Sequence, residues 1–252
     1  MTSNREFDCV VIGAGVQGSF TAYQLARRNK KTLLLEQFVL PHTRGSSHGQ
    51  TRIIRKAYEE DFYIRMMEEC YKLWTQMEKE AGVKLYRQTG LLVMGPEKNE
   101  SYQLCKNAML KNNVPMVQLT RENFGLHIPN VSLAEGHAAF VELTAGVLYA
   151  DRTLRAVQGQ FQKTKRLVIT AGPWTNRLLV KTGIELPLEV MKINVCYWRE
   201  KVDGSYDVKQ KFPCFLQIEG EKSREHIYGL PANEYPGMVK VRLRKRLSNL
   251  FV

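Results

Sequence analysis

"DCVVIGAGVQGSFTAYQLARRNKKTLLLEQF", residues 8–38, decides the fold. The β-branched apolar run at 7–12 predicts a buried strand. Residues 16–29 predict a helix, with Phe20, Ala22, Leu25 and Ala26 available for packing, and 32–37 a second strand. Strand, tight turn, helix and strand within about thirty residues make a βαβ unit, whose two strands must be parallel. Three glycines stand at the turn. Gly13 permits the reversal from strand to helix, Gly15 lets a pyrophosphate approach the backbone, and Gly18 lets helix and strand pack closely. The free N–H groups and positive dipole of the helix start then face that phosphate. Glu36 follows the second strand, where a carboxylate can accept hydrogen bonds from ribose hydroxyls. A carboxylate there disfavours a 2′-phosphate, so FAD or NAD is expected over NADP.

Outward from this unit, "PHTRGSSHGQTRIIRKAY" (41–58) reads as a long ordered loop carrying Arg44, His48, Arg52 and Arg55. Such a loop can lie over a flavin ring and stabilise negative charge on it. The same residues also read as a solvated basic loop. From Asp61 to Glu80, Phe62, Met66, Met67, Cys70, Leu73, Trp74 and Met77 recur at helical spacing, and Gly82 supplies a stop. This stripe is expected in the core. "GLLVMG" (90–95) predicts a strand, residues 99–113 a helix, and "GHAAFVELTAGVLYA" (136–150) two short strands. "RLVITAGPWTNRLL" (166–179) predicts another strand, turn and helix. Residues 186–198 and 226–241 read as sheet of a second layer or domain.

At 252 residues the chain is long enough for one large domain or two smaller ones. Hydrophobic content of 44% and charged content of 25% fit a soluble globular protein. No apolar run is long enough to span a bilayer, and "MTSNREFD" lacks the apolar stretch of a secretory signal. The five cysteines, Cys9, Cys70, Cys105, Cys196 and Cys214, are scattered without a CxxC pair. That argues against a zinc ribbon or a disulfide scaffold and suits a reducing compartment; no metal site is expected. Of the net charge of +12, five sit at the end, where Lys240, Arg242, Arg244, Lys245 and Arg246 stand without an acid, and the rest is spread along the chain among carboxylates. No basic stripe is interleaved with aromatics, so nucleic acid is not an expected partner.

The stretches "VVIGAGVQG", "PHTRGSSHGQTRIIRKAY", "LVITAGPWTN" and "INVCYWRE" together resemble the monomeric sarcosine oxidase family of flavoproteins, and within it the vertebrate peroxisomal branch, also called L-pipecolate oxidases. The resemblance runs over about 7–158 and 166–241. It implies an α/β fold that joins a Rossmann-like FAD-binding domain of the glutathione-reductase type (1–90 and 150–185) to an incomplete mixed-sheet substrate domain (91–149 and 186–241). It implies oxidation of the C–N bond of secondary amino acids such as sarcosine, L-pipecolate or L-proline, with O₂ reoxidising FAD to give H₂O₂ and an imine. A monomer is implied.

Carried over by resemblance, Ile12, Gly13, Ala14, Gly15, Val16, Gln17, Gly18, Glu36, Gln37, Arg44, Ser47, His48, Arg52, Gly172 and Trp174 would contact FAD. His48 and Arg52 would tune it. Arg55 would pair with the substrate carboxylate, for which its fork of donors is suited. Tyr228 would stand near the substrate amine. Lys240 would promote O₂ reduction, since a fixed ammonium stabilises developing superoxide.

The chain departs from the family pattern at two places. The stretch 155–166 is shorter than the family's, and 242–252 is expected to be a divergent basic tail. None of the five cysteines stands in the context of the family's flavin-linking cysteine, so covalent attachment is not expected. The family location is peroxisomal, but "LFV" is not an S-K-L-type address, so cytosolic retention is the alternative. Sheet edges left uncovered would weaken the fold. The rival expectation is therefore a truncated, non-catalytic chain with weak or no FAD binding.

Overall fold

A computed structural model describes residues 7–40, 42, 44–128, 131–158, 167–190, 194–218 and 226–243. The residues divide into two compact units, Met1–Thr51 with Tyr149–Met191 and Arg52–Leu148 with Lys192–Val252. The first division thus falls at Thr51, whereas the expected FAD-binding region runs to residue 90.

The first unit is built on three short parallel strands. β1 (Cys9–Ile12) lies between β2 (Thr32–Leu35) and a strand from much later in the chain at Leu167–Ile169. α1 (Val16–Arg27) links β1 to β2 and buries Ser19, Ala22 and Tyr23 against them. The small residues among these let the helix lie close to the sheet. Three elements whose ranges the expectations straddle complete the unit: a helix at Ala150–Gln158, a 3₁₀ turn at Gly172–Trp174 and a short helix at Thr175–Leu179. Residues 184–190 form neither helix nor strand, and Ile184, Leu188 and Val190 are exposed.

The second unit opens on β3 (Thr51–Ile54), which interrupts the segment expected to be loop. Four residues that tolerate a pleated, half-buried surface, Thr-Arg-Ile-Ile, explain the strand. α2 (Asp61–Ala81) follows and stops at Gly82, whose φ of +64° is the left-handed geometry glycine supplies. Its expected core stripe is corrected by the structure. Ile64 and Met77 are buried, while Phe62, Met66 and Leu73 are exposed. The helix turns Ile64, Tyr71 and Glu78, seven residues apart and so on one side, inward instead. Tyr71 donates its hydroxyl to the Thr144 carbonyl at 3.0 Å, and Glu78 accepts the Leu85 and Tyr86 amides at 2.8 and 2.9 Å. Met67, Cys70 and Trp74 are half-buried beside them, so only the Met77 side of the expected stripe faces inward, together with these hydrogen-bonded polar residues.

Along the chain come β4 (Tyr86–Gln88), β5 (Leu91–Pro96), α3 (Glu100–Lys111), β6 (Met116–Leu119), α4 (Arg121–His127), β7 (His137–Glu142) and β8 (Gly146–Tyr149). After the first unit's α5 (Ala150–Gln158), β9 (Leu167–Ile169) and α6 (Thr175–Leu179) come β10 (Cys196–Arg199), β11 (Cys214–Ile218), β12 (His226–Tyr235) and β13 (Met238–Leu243). Of the expected sheet segment 186–198, residues 191–193 lie outside the described residues, and among the described ones only those from Cys196 onward form a strand. Arg242 and Leu243, expected in the divergent tail, belong to β13; residues 244–252 lie outside the described residues.

The main sheet has the order β10-β13-β12-β11-β5-β7-β6, antiparallel except between β11 and β5. β3, β8 and β4 form a smaller sheet. One face of the main sheet holds Leu92, Ala139, Leu119, Phe124, Ile128 and Phe212 as a buried cluster. Phe124 comes from α4, whose start is closed by a reciprocal Thr120–Asn123 box. Its truncation to alanine would cost about 3–5 kcal/mol. On the opposite face Phe140 packs against Tyr102 of α3, ring centroids 5.7 Å apart. Cross-strand register in β10, β13 and β12 pairs Tyr197 with Lys240 and Tyr228 with Arg242.

Candidate functional site

The turn after β1 is shaped by its glycines. Gly13 has φ +101°, and a Cβ there would fall 2.5 Å from the Thr170 carbonyl oxygen. A Cβ on Gly18 would fall 1.8 Å from the Gly13 carbonyl oxygen. These two positions therefore exclude any larger side chain, which brings α1 tightly onto the turn. Gly15 faces outward, where the nearest atom to an added Cβ is Ser47 Oγ at 3.0 Å. That hydroxyl accepts the Val16 amide at 2.9 Å. The Gly15 and Gln17 amides have no hydrogen-bond partner among the described residues. An unsatisfied helix start of this kind is a seat for an anion.

Glu36 stands just beyond β2. Its Oε2 accepts the Ala14 amide at 2.8 Å and its Oε1 the Phe38 amide at 3.1 Å, with His42 Nε2 3.6 Å away. An ionised carboxylate offers about four lone-pair sites, so this fixed side chain keeps acceptor capacity for hydroxyl groups. Beside it Phe38 meets His42 and Trp174 edge-on, centroids 5.2 and 5.5 Å apart, and the Arg44 guanidinium lies 4.7 Å from the Phe38 ring centre.

These groups border a cavity of about 770 Å³ that belongs wholly to the first unit. Of the residues expected at the cofactor, Ile12, Gly13, Ala14, Gly15, Val16, Gln17, Glu36, Gln37, Arg44, Ser47, His48, Gly172 and Trp174 line it. Gly18 is buried beneath the turn, and Arg52 lies in the second unit; neither is on the wall. His48 turns Nδ1 to the Gly45 carbonyl, folding the loop on itself. The glycine cradle, the acidic side chain at the end of β2 and cations from Arg44, Arg155 and Arg177 fit a dinucleotide such as FAD.

Sequence reasoning passed over several residues of this cavity. Thr170 Oγ1 donates to the Ile12 and Gly13 carbonyls at 2.9 and 3.1 Å, stitching the end of β9 to the turn. Its position right after a strand, inside "VITAG", is a signal that could have been used. Gln158 Nε2 donates to the Ala14 carbonyl at 3.0 Å and Ser19 Oγ at 3.2 Å. Nothing local marks that glutamine. Asp151, Leu154, Arg155 and Arg177 also line the wall. Of the shortened stretch, residues 159–166 lie outside the described residues.

The second unit holds Arg52, Arg55, Tyr228 and Lys240. Lys240 Nζ donates to Glu234 Oε1 at 2.6 Å, and the Tyr197 hydroxyl donates to Glu234 Oε2. Burial, then the contact with Glu234, push the Tyr197 hydroxyl well above the ordinary phenol range, against a smaller opposing field from Arg52. Tyr228 stands opposite Arg242, whose guanidinium lies 5.2 Å from the ring centre. Arg242 Nε is buried and has no hydrogen-bond partner among the described residues. Arg55 rests its guanidinium 4.6 Å from the centre of the Tyr58 ring. Among the described residues no group of three or more His, Cys, Asp or Glu could hold a metal ion, and no helix is long and apolar enough to cross a membrane.

Residues 8–235 match the family described as DAO, FAD dependent oxidoreductase. The chain is 47% identical to a peroxisomal sarcosine oxidase of Mus musculus, covering 96% of this chain and 69% of that protein. It is 48% identical to the peroxisomal sarcosine oxidase of Homo sapiens over 93% of this chain and 67% of that protein. The mouse alignment spans 272 positions, more than the 252 residues of this chain, so that relative carries internal residues without a counterpart here. A monomeric sarcosine oxidase of Bacillus sp. is 30% identical over 91% of this chain and 66% of that protein. Among solved structures, NikD, an amino acid oxidase of nikkomycin biosynthesis, superposes with a TM-score of 0.80 at 20% identity, covering 99% of this chain and 74% of NikD. L-Proline dehydrogenase from P. horikoshii gives 0.73 at 18%, covering 98% and 72%. The two structures share the fold, and the sequence matches with the family pattern fix the lineage: the chain belongs to the FAD-dependent oxidoreductases, and within them to the sarcosine oxidase family.

Proposed function

We propose that the chain binds FAD in the cavity of its first unit and oxidises the C–N bond of a small secondary amino acid, sarcosine, L-pipecolate or L-proline. The observation that carries this is the Gly13–Gly18 cradle with Glu36 fixed beside it, in a chain nearly half identical to peroxisomal sarcosine oxidases. The amides of Gly15 and Gln17 would hold the diphosphate and Glu36 a ribose. Arg44, Arg155 and Arg177 would offset the diphosphate's charge. FAD, when bound, supplies the acceptor for two electrons and a proton from the substrate, and O₂ then takes the electrons to give H₂O₂. The chain's own residues bind and orient: Arg55 would pair with the substrate carboxylate, Tyr228 would border the amine, Arg52 and His48 would tune the redox centre, and Lys240 would promote the oxygen step.

The non-catalytic alternative is not favoured, because the family match runs through residues 8–235 and the cradle is intact. A monomer in the peroxisome is part of the proposal, on the strength of the relatives' printed names for the location. The two blocks of each expected domain are proposed as the FAD and substrate domains. Purification of the full chain with added FAD tests the whole reading. A bound-flavin absorbance band and peroxide formation from sarcosine, L-pipecolate or L-proline in an oxygen electrode are expected. Flavin-free protein, or no oxygen uptake with any of the three, refutes it.

A further inference from the structure

Glu142 ends β7 and is completely buried, yet no part of the proposed chemistry uses it. Its two oxygens accept from three donor groups. The Lys56 amide reaches both oxygens at 2.9 Å, the Ala57 amide reaches Oε2 at 2.9 Å, and Thr144 Oγ1 reaches Oε1 at 2.8 Å. The Thr144 carbonyl in turn accepts the Tyr71 hydroxyl at 3.0 Å and the Tyr86 hydroxyl. α2 and β4 thus hold Thr144, Thr144 holds the Glu142 carboxyl, and Glu142 in turn holds one short piece of chain through its Lys56 and Ala57 amides. That piece is 55–58, which leaves β3 and has neither helix nor strand of its own.

Such an arrangement leaves Arg55 in an unusual position. The peptides that follow it are clamped by a buried carboxyl group, but its oxygens are occupied by backbone amides and the Thr144 hydroxyl rather than by the guanidinium. Among the described residues the Arg55 guanidinium makes no ion pair; it lies over the Tyr58 ring. A planar fork stacked by its face keeps its N–H edges free for a planar anion. Burying a carboxylate is costly unless its acceptor sites are used. Here the burial fixes the backbone beside the α-carbon that aims Arg55, with β3 fixing it on the other side. A neutral amide could not do the same, because its NH₂ would face an incoming amide N–H group.

We propose that Glu142, with Thr144, is the positioning residue for Arg55 as the seat of the substrate's carboxylate. This rests on the reading of Arg55 given under the proposed function. The test uses the full FAD-loaded chain, with butyrate as a non-oxidisable carba-analogue of sarcosine, and compares sarcosine with its primary amide, sarcosinamide, which lacks the carboxylate charge. Glu142→Gln is expected to raise the butyrate Kd, measured by calorimetry, and the sarcosine KM about tenfold or more, and Thr144→Val about 3–10-fold. Both are expected to leave sarcosine kcat and sarcosinamide kcat/KM within about twofold. Arg55→Met should show the same selective pattern more strongly. Folded Glu142→Gln and Thr144→Val with unchanged butyrate affinity, or with equal losses on sarcosinamide, overturn the inference while Arg55 keeps its role. Unchanged butyrate affinity in Arg55→Met overturns the reading of Arg55, and the inference with it. Should Glu142→Gln fail to fold, Thr144→Val alone decides between these outcomes.

Discussion

Lys240 and Glu234 meet across the β12–β13 hairpin, Nζ and Oε1 2.6 Å apart, with side chains only 12% and 5% exposed. Two charges in such a setting depend on each other, because either one left alone bears its lost hydration without a partner. Glu234→Leu is therefore expected to destabilise the fold by about 3–5 kcal/mol in urea unfolding. The double variant Glu234→Leu/Lys240→Met should recover most of that loss. A double variant as unstable as the single would show that the pair is not the source of the effect.

Gly18→Ala places a Cβ where the Gly13 carbonyl oxygen stands. The clash is with backbone and cannot be relieved by a rotamer change. The expected result is a loss of at least about 1–3 kcal/mol, read as a lowered melting temperature, together with loss of co-purifying flavin. Gly172→Ala makes a useful comparison, since nothing lies within 4 Å of its added Cβ; its φ of +55° alone should give a smaller loss.

Glu36→Ala removes the acceptor of the Ala14 and Phe38 amides and the proposed ribose partner at once. Hydrogen bonds to a charged group contribute about 1.5–3 kcal/mol each. Fluorescence titration with FAD is expected to show affinity weakened about tenfold or more. Equal affinity in the variant would remove Glu36 from the cofactor site.

Glu78 carries a pH dependence. Burial pulls its carboxyl upward, but the amides of Leu85 and Tyr86 and the nearby Lys84 outweigh that and leave it below its ordinary 4.5. A folded-state pKa lowered in this way adds stability that is fully present above the unfolded value and disappears as pH falls through the folded one. Denaturant melts between pH 6 and roughly 3 should therefore show a downward slope below about 4.5 that is shallower in Glu78→Gln. Parallel slopes in the two proteins would contradict the assignment.

Legibility followed the range of the interactions. The first βαβ unit was readable because its signals are local: a β-branched run, three glycines with distinct steric jobs and an acid at a fixed distance. The α2 stripe was legible only in part: Met77 is buried and Met67, Cys70 and Trp74 half-buried, but Phe62, Met66 and Leu73 are exposed. The inward side is shared with Tyr71 and Glu78, whose partners at Thr144, Leu85 and Tyr86 lie far off in sequence or outside the helix. The strand inside 41–58 was obscured by the polar residues on either side of Thr51–Ile54. Gln158 and Glu142 were invisible for a simpler reason. Each acts on backbone far away in sequence, Ala14 in one case and Lys56 in the other.

The strand order has a consequence for how the protein is made. β1 accepts β9 as its second neighbour, and all of Arg52–Leu148 lies between them in the chain. β5 likewise waits for β11. On the ribosome, the nascent first unit holds an open strand edge while residues 36–166 emerge, and the intervening sheet is itself unfinished until the β12–β13 hairpin arrives. The first unit's sheet can close only once β9 has emerged, and the main sheet only once β10 to β13 have followed, so both units hold open strand edges late into synthesis, edges that must be kept from neighbouring chains in the meantime.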